Sequence, residues 1–259
     1  MAGPLNFEPP TALQYFAALV AEDASLSVVE AAVAVAQDLD PEQDAQAVLA
    51  QIDELADRLR RRLPADAGPV HKLRMLNRYF FDELGFAGNV NDYYDPRNSS
   101  LAEVLRTRRG IPVTLPRGEV VLDPFSGRSL SREELEERLL PYRQRHGLVG
   151  DFDVPLGLFL QTAAPREILA RLLRNLKEIH RSAGDPLRLL AVLERLVILL
   201  PEDWSERRDR GLAHAELGHH EQAVRDLSDY LIHCPDAADA PALRARLAQL
   251  NGPRRPTLH

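Results

Sequence analysis

The strongest limit on what this chain can fold into is a spacing. Gly184 and Gly218 stand 34 residues apart, and so do Pro201 and Pro235, which is the period of a solenoid built from two antiparallel helices per unit. In the same frame His180 pairs with His214, Leu189 with Ala223, Leu193 with Leu227, and Leu196 with Tyr230. Small and apolar residues therefore recur where the first helix of a unit must pack on the second. Such a unit cannot bury its apolar face alone, so the units must stack. Pro165 to Leu200 and Trp204 to Cys234 are read as two units, with Ala240 to Leu250 as a capping helix.

Upstream, helical periodicity continues without that repeat. Thr11 caps a run with Leu13, Phe16, Ala17, Leu19 and Val20 at 3.6-residue spacing. Ser27 to Leu39 places Val28, Val29, Ala32, Val33 and Ala36 on one side, and Pro41 is read as the start of a third helix carrying Val48, Leu49, Ile52, Leu55, Ala56 and Leu59. After a turn at Leu63 to Pro69, His71 to Leu84 is predicted as one amphipathic helix burying Leu73, Leu76, Tyr79, Phe80 and Leu84, with Gly85 as its C-cap. The stretch Gly88 to Leu115, GNVNDYYDPRNSSLAEVLRTRRGIPVTL, is a polar loop and then a short helix. Ser99 or Ser100 caps that helix, Glu103 is placed for a capping box and Gly110 closes it. Glu119 to Leu122 is a strand candidate, and Ser131 with Glu134 caps a helix that runs to about Leu140. Pro141 to Ala164, with Gly147, Gly150, Pro155 and Gly157, is the expected domain junction.

Charge and cysteine usage narrow the function classes. With 39 acidic against 32 basic side chains, the chain has no general attraction for nucleic acid or an anionic membrane. Its single cysteine, Cys234, excludes an internal disulfide and a multi-cysteine zinc cluster, and no signal-peptide pattern is evident, so a reducing cytoplasm is expected. The longest apolar run, Leu187 to Leu200, is interrupted by Arg188, Glu194 and Arg195 and falls short of a membrane span. No metal or cofactor is expected.

Tyr93, Tyr94, Asp95, Arg97 and Asn98 form the candidate binding cluster. Its functional reading is a contact surface. Its structural reading is a loop in which Asp95 and Asn98 cap the following helix and Arg97 pairs internally. Thr114 lacks a base nearby in sequence to make it a nucleophile. The His219-His220 pair lacks companion ligands at metal spacing and reads as solvated polar residues at a turn. Arg58, Arg60, Arg61 and Arg62 fit the C-terminal end of a helix, where the dipole favours cations. Cys234 reads as a small residue packed near a repeat boundary.

The segments LNRYFFDELGFAGNVNDYYDPRNSSLAEVLRTRRGIPVTL and VVLDPFSGRSLS, followed by the 34-residue repeats, closely resemble bacterial SirB-type proteins, which join a transglutaminase-like core to tetratricopeptide repeats. The resemblance implies a core whose enzymes use a Cys, His and Asp triad, in which a thiolate attacks an acyl carbon and an imidazole moves the proton. The chain departs from that pattern twice. Where the superfamily places its nucleophile this sequence reads Gly110-Ile111-Pro112-Val113-Thr114, and no cysteine occurs before Cys234. Family members also continue from GIPVTL into a helix and a histidine-bearing strand, roughly 30 residues by ordinary element lengths, whereas here Leu115 meets the turn Pro116-Arg117-Gly118. Asp123 alone matches a triad position and is read as vestigial.

The expected architecture is mainly α with an α+β remnant. A helical transglutaminase-like domain spans 1–150, with a helical lead over 11–62, a core remnant over 71–140 and a short residual β element. An α-helical tetratricopeptide region follows over 165–251. The expected function is a non-catalytic protein-interaction or regulatory module that binds a protein or peptide through the repeats, without nucleic acid or membrane. The alternative is a transglutaminase-like hydrolase or protease acting on amide or peptide bonds. Enzyme status is left open, leaning to none.

Overall fold

The computed structural model describes residues 10–37, 40–89, 91–92, 94–110, 121–122, 129–145, 148, 156 and 163–251. Helices dominate these residues, and the strands are two-residue pieces, as the mainly α expectation requires. The chain divides into two compact units. One takes the described residues up to Pro41 and from Leu169 onward, and the other is Glu42–Ile168. The sequence groups the helical lead with the transglutaminase-like part; in space its first two helices belong to the repeat unit.

In the repeat unit, α1 (Ala12–Leu19) starts from a reciprocal capping box between Thr11 and Gln14. Phe16 and Val20 are buried on its inner face. In α2 (Val28–Ala36) every residue from Ala31 to Ala36 is buried, so the helix is enclosed on more than one side by small side chains. Val29, expected inside, is exposed. The Tyr15 hydroxyl donates to Glu30 at 2.5 Å and ties the two helices together; that bond, with burial, pushes the phenol up to about 12.

Four helices form the two repeats: α7 (Pro165–Ala183), α8 (Pro186–Leu199), α9 (Trp204–Glu216) and α10 (His220–His233), with α11 (Ala240–Leu250) as the cap. The pairs His180 and His214, Leu189 and Ala223, Leu193 and Leu227, and Leu196 and Tyr230 are all buried. The turns repeat as well. Gly184 and Gly218 both take positive φ, 65° and 76°, and the next residue's N–H donates back across each turn, Asp185 to the His180 carbonyl at 3.0 Å and His219 to the His214 carbonyl at 2.8 Å. Gly211 is required for a different reason: a Cβ there would lie 2.9 Å from both Cγ and Cδ2 of the fully buried Leu227. Arg195, which seemed to interrupt an apolar run, is 2% exposed. It donates to the Ala191 carbonyl at 3.1 Å, and its guanidinium lies 5.7 Å from the centre of the Phe16 ring, linking α8 to α1. No described helix is long and apolar enough to cross a membrane.

One ladder of charges joins α7 to α9. Arg174, Lys177 and Arg181 face Asp203, Glu206 and Asp209. Lys177 is its centre, buried and 2.6 Å from both Glu206 and Asp209. Arg208 continues the ladder from Asp209 to Asp239 at the start of the cap.

The other unit is built differently. Helix α3 (Ala45–Arg60) begins after Asp44, whose carboxylate accepts from Gln46 and Ala47, so Pro41 lies before the helix instead of opening it. Helix α4 (Pro69–Asn77) does not continue as one α-helix to Leu84. It passes into a π-helical turn, Arg78–Glu83, before Gly85 ends it at φ 72°. The wider turn rotates the following side chains out of α-helical register. Tyr79 is buried as expected and Phe86 beyond the turn is buried too, whereas Phe80 within the turn is 36% exposed and Leu76, on the α-helix before it, is 43% exposed, both expected in the core. Phe80 stacks on Phe86 with ring centres 4.1 Å apart.

Two short strand pairs complete the described β structure. Strands β1 (Ala87–Gly88) and β2 (Arg109–Gly110) pair in parallel, and the segment between them is the crossover a parallel pair needs. Strands β3 (Val121–Leu122) and β4 (Ser129–Leu130) pair antiparallel. The Ser131–Glu134 capping box forms, but helix α6 (Arg132–Arg145) runs through Pro141 instead of ending near Leu140. Buried apolar side chains in this unit are Val48, Tyr79, Phe86, Leu105, Leu156 and Ile168 among the described residues.

Replacing Lys177 by Ala or Met removes the central cation and leaves Glu206 to Arg174 and Asp209 to Arg181 and Arg208. Either variant is expected to cost about 1.5–3 kcal/mol in urea unfolding, because the lost charge-assisted hydrogen bonds and not the lost volume dominate. A cost under about 1 kcal/mol would remove the ladder from this role. Acid should act on the same contacts. Burial pushes Asp209 up, yet hydrogen bonds from Lys177 and Arg208 outweigh it and hold the carboxyl below its usual range; Asp203 is lowered in the same way by Ser205 and Arg174 against its burial. Groups lowered by folding contribute stability above their unfolded values and lose it as pH falls through the folded ones. The urea midpoint should therefore fall once the pH drops below about 4, and the decline should be shallower in Asp209→Asn.

Candidate functional site

The expected binding cluster lies in the crossover between β1 and β2. Asp95 caps a 3-10 turn, Pro96–Ser99, by accepting from the Arg97 N–H at 2.9 Å. The same carboxylate takes the Arg97 side chain at 2.7 Å, and this partner holds Asp95 below the usual carboxylate range. Ser100, not Ser99 or Asn98, caps helix α5 (Leu101–Thr107). Glu103 does not reach back to complete a capping box, because Arg106 holds its carboxylate at 2.7 Å.

Asn98 is the knot of the loop. It is 5% exposed; its Oδ1 accepts from Asn89 at 2.9 Å, and its amide donates to the Asp92 carbonyl at 2.6 Å. These bonds satisfy polar groups of a loop that forms no regular ladder. Helix α5 ends at Arg108, a non-glycine residue in the left-handed region at φ 59°, so Gly110 is not the helix terminator. Close packing explains Gly110 instead: a Cβ there would lie 2.6 Å from Val104 and 3.2 Å from the Asn98 carbonyl. The Arg108 guanidinium covers the Phe86 ring at 4.6 Å, and Arg109 donates to the Gly85 carbonyl at 3.0 Å, closing the crossover onto the π-helical turn.

The five cluster residues thus separate. Asn98 is buried and Asp95 is committed to the turn, while Tyr94 and Arg97 stand outside, the Tyr94 residue 72% exposed. Tyr93, Thr114 and Asp123 lie outside the described residues. What remains is a phenol and a guanidinium on the surface, with the neighbouring carboxylate already paired. That suits contact with a partner better than proton transfer, which needs an available base.

Other singled-out residues have local partners. Arg58 and Arg60 pair with Glu54 and Asp57 on their own helix, and Arg62 pairs with Glu83 and covers the Tyr79 ring. His219 brings its Nδ1 within 3.3 Å of Nδ1 of His214. No group of three or more His, Cys, Asp or Glu placed to hold a metal occurs among the described residues. Cys234 is half-buried beside Leu227 and Tyr230.

Sequence reasoning missed Lys177 and Glu206. A signal was available, since Lys177 falls 34 residues before Gly211, and a long cation at the place of an obligatory glycine requires buried acids to receive it.

Comparison with known proteins gives three findings. The transglutaminase-like superfamily profile matches in two pieces, residues 46–116 and 115–174, and a tetratricopeptide repeat profile matches 176–248. The chain is 32% identical over 264 positions to a UPF0162 protein of Xylella fastidiosa, covering 90% of this chain and 93% of that one. It is 24% identical over 266 positions to a UPF0162 protein of Vibrio cholerae, covering 91% and 96%, and 26% identical over 242 positions to the UPF0162 protein YchA of Escherichia coli, covering 80% and 85%. In the Xylella alignment, 90% of 259 residues is about 233, so about 31 of the 264 positions hold no residue of this chain. No solved structure matches the chain.

Asn98→Ala should open the loop, because it leaves the Asn89 amide and the Asp92 carbonyl without their partner. A cost of about 1–3 kcal/mol is expected, with new protease cleavage between residues 89 and 98. Arg97→Ala should cost under about 1 kcal/mol and leave the digestion pattern unchanged.

Proposed function

The chain belongs to the UPF0162 family, and from that membership we propose that it works as a non-catalytic protein-interaction or regulatory module in the cytoplasm. One observation carries the reading. The only cysteine, Cys234, lies in the repeat unit, so the transglutaminase-like stretch 46–174 contains no thiol. Without a thiolate, the acyl-enzyme chemistry of a transglutaminase-like triad has no first step.

The proposal includes the loss of an internal segment after Leu115, the segment that in SirB-type proteins carries the histidine. Its support is the break in the family match at residues 115–116, together with the total of about 31 positions in the Xylella alignment that hold no residue of this chain. Two features of the 42–168 unit fit the same history. The Tyr79 hydroxyl is buried without a hydrogen-bond partner among the described residues, and Leu76 and Phe80 face solvent. An orphaned hydroxyl and exposed apolar side chains are what the removal of a packed segment leaves behind.

On this reading the transglutaminase-like domain expected over 1–150 is a reduced domain lying in the unit 42–168, and the part over 165–251 holds the protein or peptide partner. The curved surface of stacked helix pairs is well suited to that use. Tyr94 and Arg97 supply a second contact, positioned by Asp95 and Asn98.

Photo-crosslinking tests it. Benzoylphenylalanine at Leu212, on α9, should give a discrete adduct whose partner, once identified and purified, binds the full chain. The same label at Ile232, 72% exposed on α10, should not. Acyl transfer to a primary amine, or amide hydrolysis that disappears in Asp123→Ala, would overturn the reading.

A further inference from the structure

We propose that the first repeat carries a pocket for one arginine side chain of a bound peptide, with His180 in its wall and Glu216 on its rim. The inference rests on the partner-binding reading of the repeat unit and specifies the chemistry recognised there. A cavity of about 380 Å³ opens where the C-terminal end of α7, the turn at Gly184 and helix α9 meet. Leu189, Leu212 and Ala213 give it an apolar lining suited to a hydrocarbon stem.

The polar groups in the cavity are unequal. Asp209 is saturated by Lys177, Arg181 and Arg208, and Arg181 is spent on Glu178 and Asp209. Asp185 caps α8 and holds Arg188. Two acceptors remain. The His180 ring meets no hydrogen-bond partner among the described residues, although the residue is only 3% exposed. Burial pushes its imidazole below the ordinary value, so it is neutral at pH 7 and keeps a lone pair. Glu216, exposed at the mouth, is paired with no cation among the described residues.

The repeat itself supplies the control. At the 34-residue offset His180 becomes His214, and Asp185 becomes His219, whose ring reaches back to His214 at 3.3 Å. In the second unit that imidazole therefore has a neighbour, whereas in the first Asp185 has turned to the next helix and left His180 open. The facing wall changes too: Asp209, Ala213 and Glu216 correspond to Leu243, Leu247 and Leu250, which pack on Leu227 and Tyr230. One site is closed with leucines. Its counterpart is open, carries a carboxylate paired with no cation among the described residues and belongs to a chain of net charge −7. A guanidinium has five N–H donors in a plane and can serve acceptors on two walls at once, which a compact ammonium does less well.

The test uses the full chain with carbon-13-labelled histidine. The His180 ring signals are assigned with His180→Gln and followed by NMR at physiological salt. N-acetyl-arginine amide should shift them saturably. The uncharged isostere N-acetyl-citrulline amide and N-acetyl-norleucine amide should bind about tenfold more weakly or not at all. Glu216→Gln, an exposed change that leaves the fold intact, should weaken the arginine probe to a similar degree. Equal affinity for arginine and citrulline, no saturable shift with arginine, or no effect of Glu216→Gln would overturn the pocket. If a confirmed partner crosslinks at Leu212 while the arginine probe leaves His180 unmoved, the pocket fails and the partner reading stands. If the probe binds and no partner is captured, the partner reading fails and the pocket stands.

Discussion

The repeat unit depends on a lysine buried between two carboxylates. Lys177 occupies the place where the next repeat needs glycine, and its ammonium lies 2.6 Å from both Glu206 and Asp209. Burying three charges is unfavourable unless each finds its partner, so the contact admits one register of α7 against α9 and opposes a slip along the helices. Arg174 and Arg181 extend the match on either side. The ladder also decides what is left over for function. It consumes Asp209 and Arg181, and so leaves His180 and Glu216 as the open acceptors of the adjoining cavity. Stability and recognition share one row of side chains, divided by which of them already have partners.

The 42–168 unit is held by different means. Its described buried apolar side chains are few, Tyr79 and Phe86 among them, and polar connections hold its crossover. Asn98 bridges Asn89 and Asp92, Arg109 reaches Gly85, and Gly110 lets two backbone segments approach. A loop fixed this way gives a firm surface and no free base. In the proposed reading this loop is a scaffold for Tyr94 and Arg97, and the thiol chemistry of the transglutaminase-like superfamily has no nucleophile in the stretch 46–174.

Some of this was legible in the residues, and the failures share a cause. The caps at Thr11 and Ser131, and the cap at Ser99 or Ser100 that proves to be Ser100, were readable because a side-chain oxygen satisfying a nearby N–H is a local event. Phe80 was assigned inward because a 3.6-residue period was carried into a segment that turns more widely, and no residue type announces a π turn; Leu76 lies before that turn and is exposed on a regular helix. Gly110 looked like a helix terminator, yet the left-handed residue is Arg108, and the glycine answers to Val104, six residues away in sequence and in contact through the fold. Arg195 looked like a break in an apolar run and became a buried link to Phe16. Of the candidate cluster, the sequence located the loop; it could not separate Asn98 and Asp95, which hold it, from Tyr94 and Arg97, which it presents.

The amino-acid sequence by itself determined the helical class, the 34-residue repeat with its buried pairs and glycine turns, and the lack of a thiol in the transglutaminase-like stretch. Each is a property of residue identity and spacing along one chain. Only the tertiary structure decided that α1 and α2 pack with the repeats, that Lys177 lies between two acids, and that the first repeat keeps an open cavity where the second is filled. Those outcomes depend on which side chains from distant segments fit together and satisfy one another's charge in three dimensions, and spacing along the chain does not encode that.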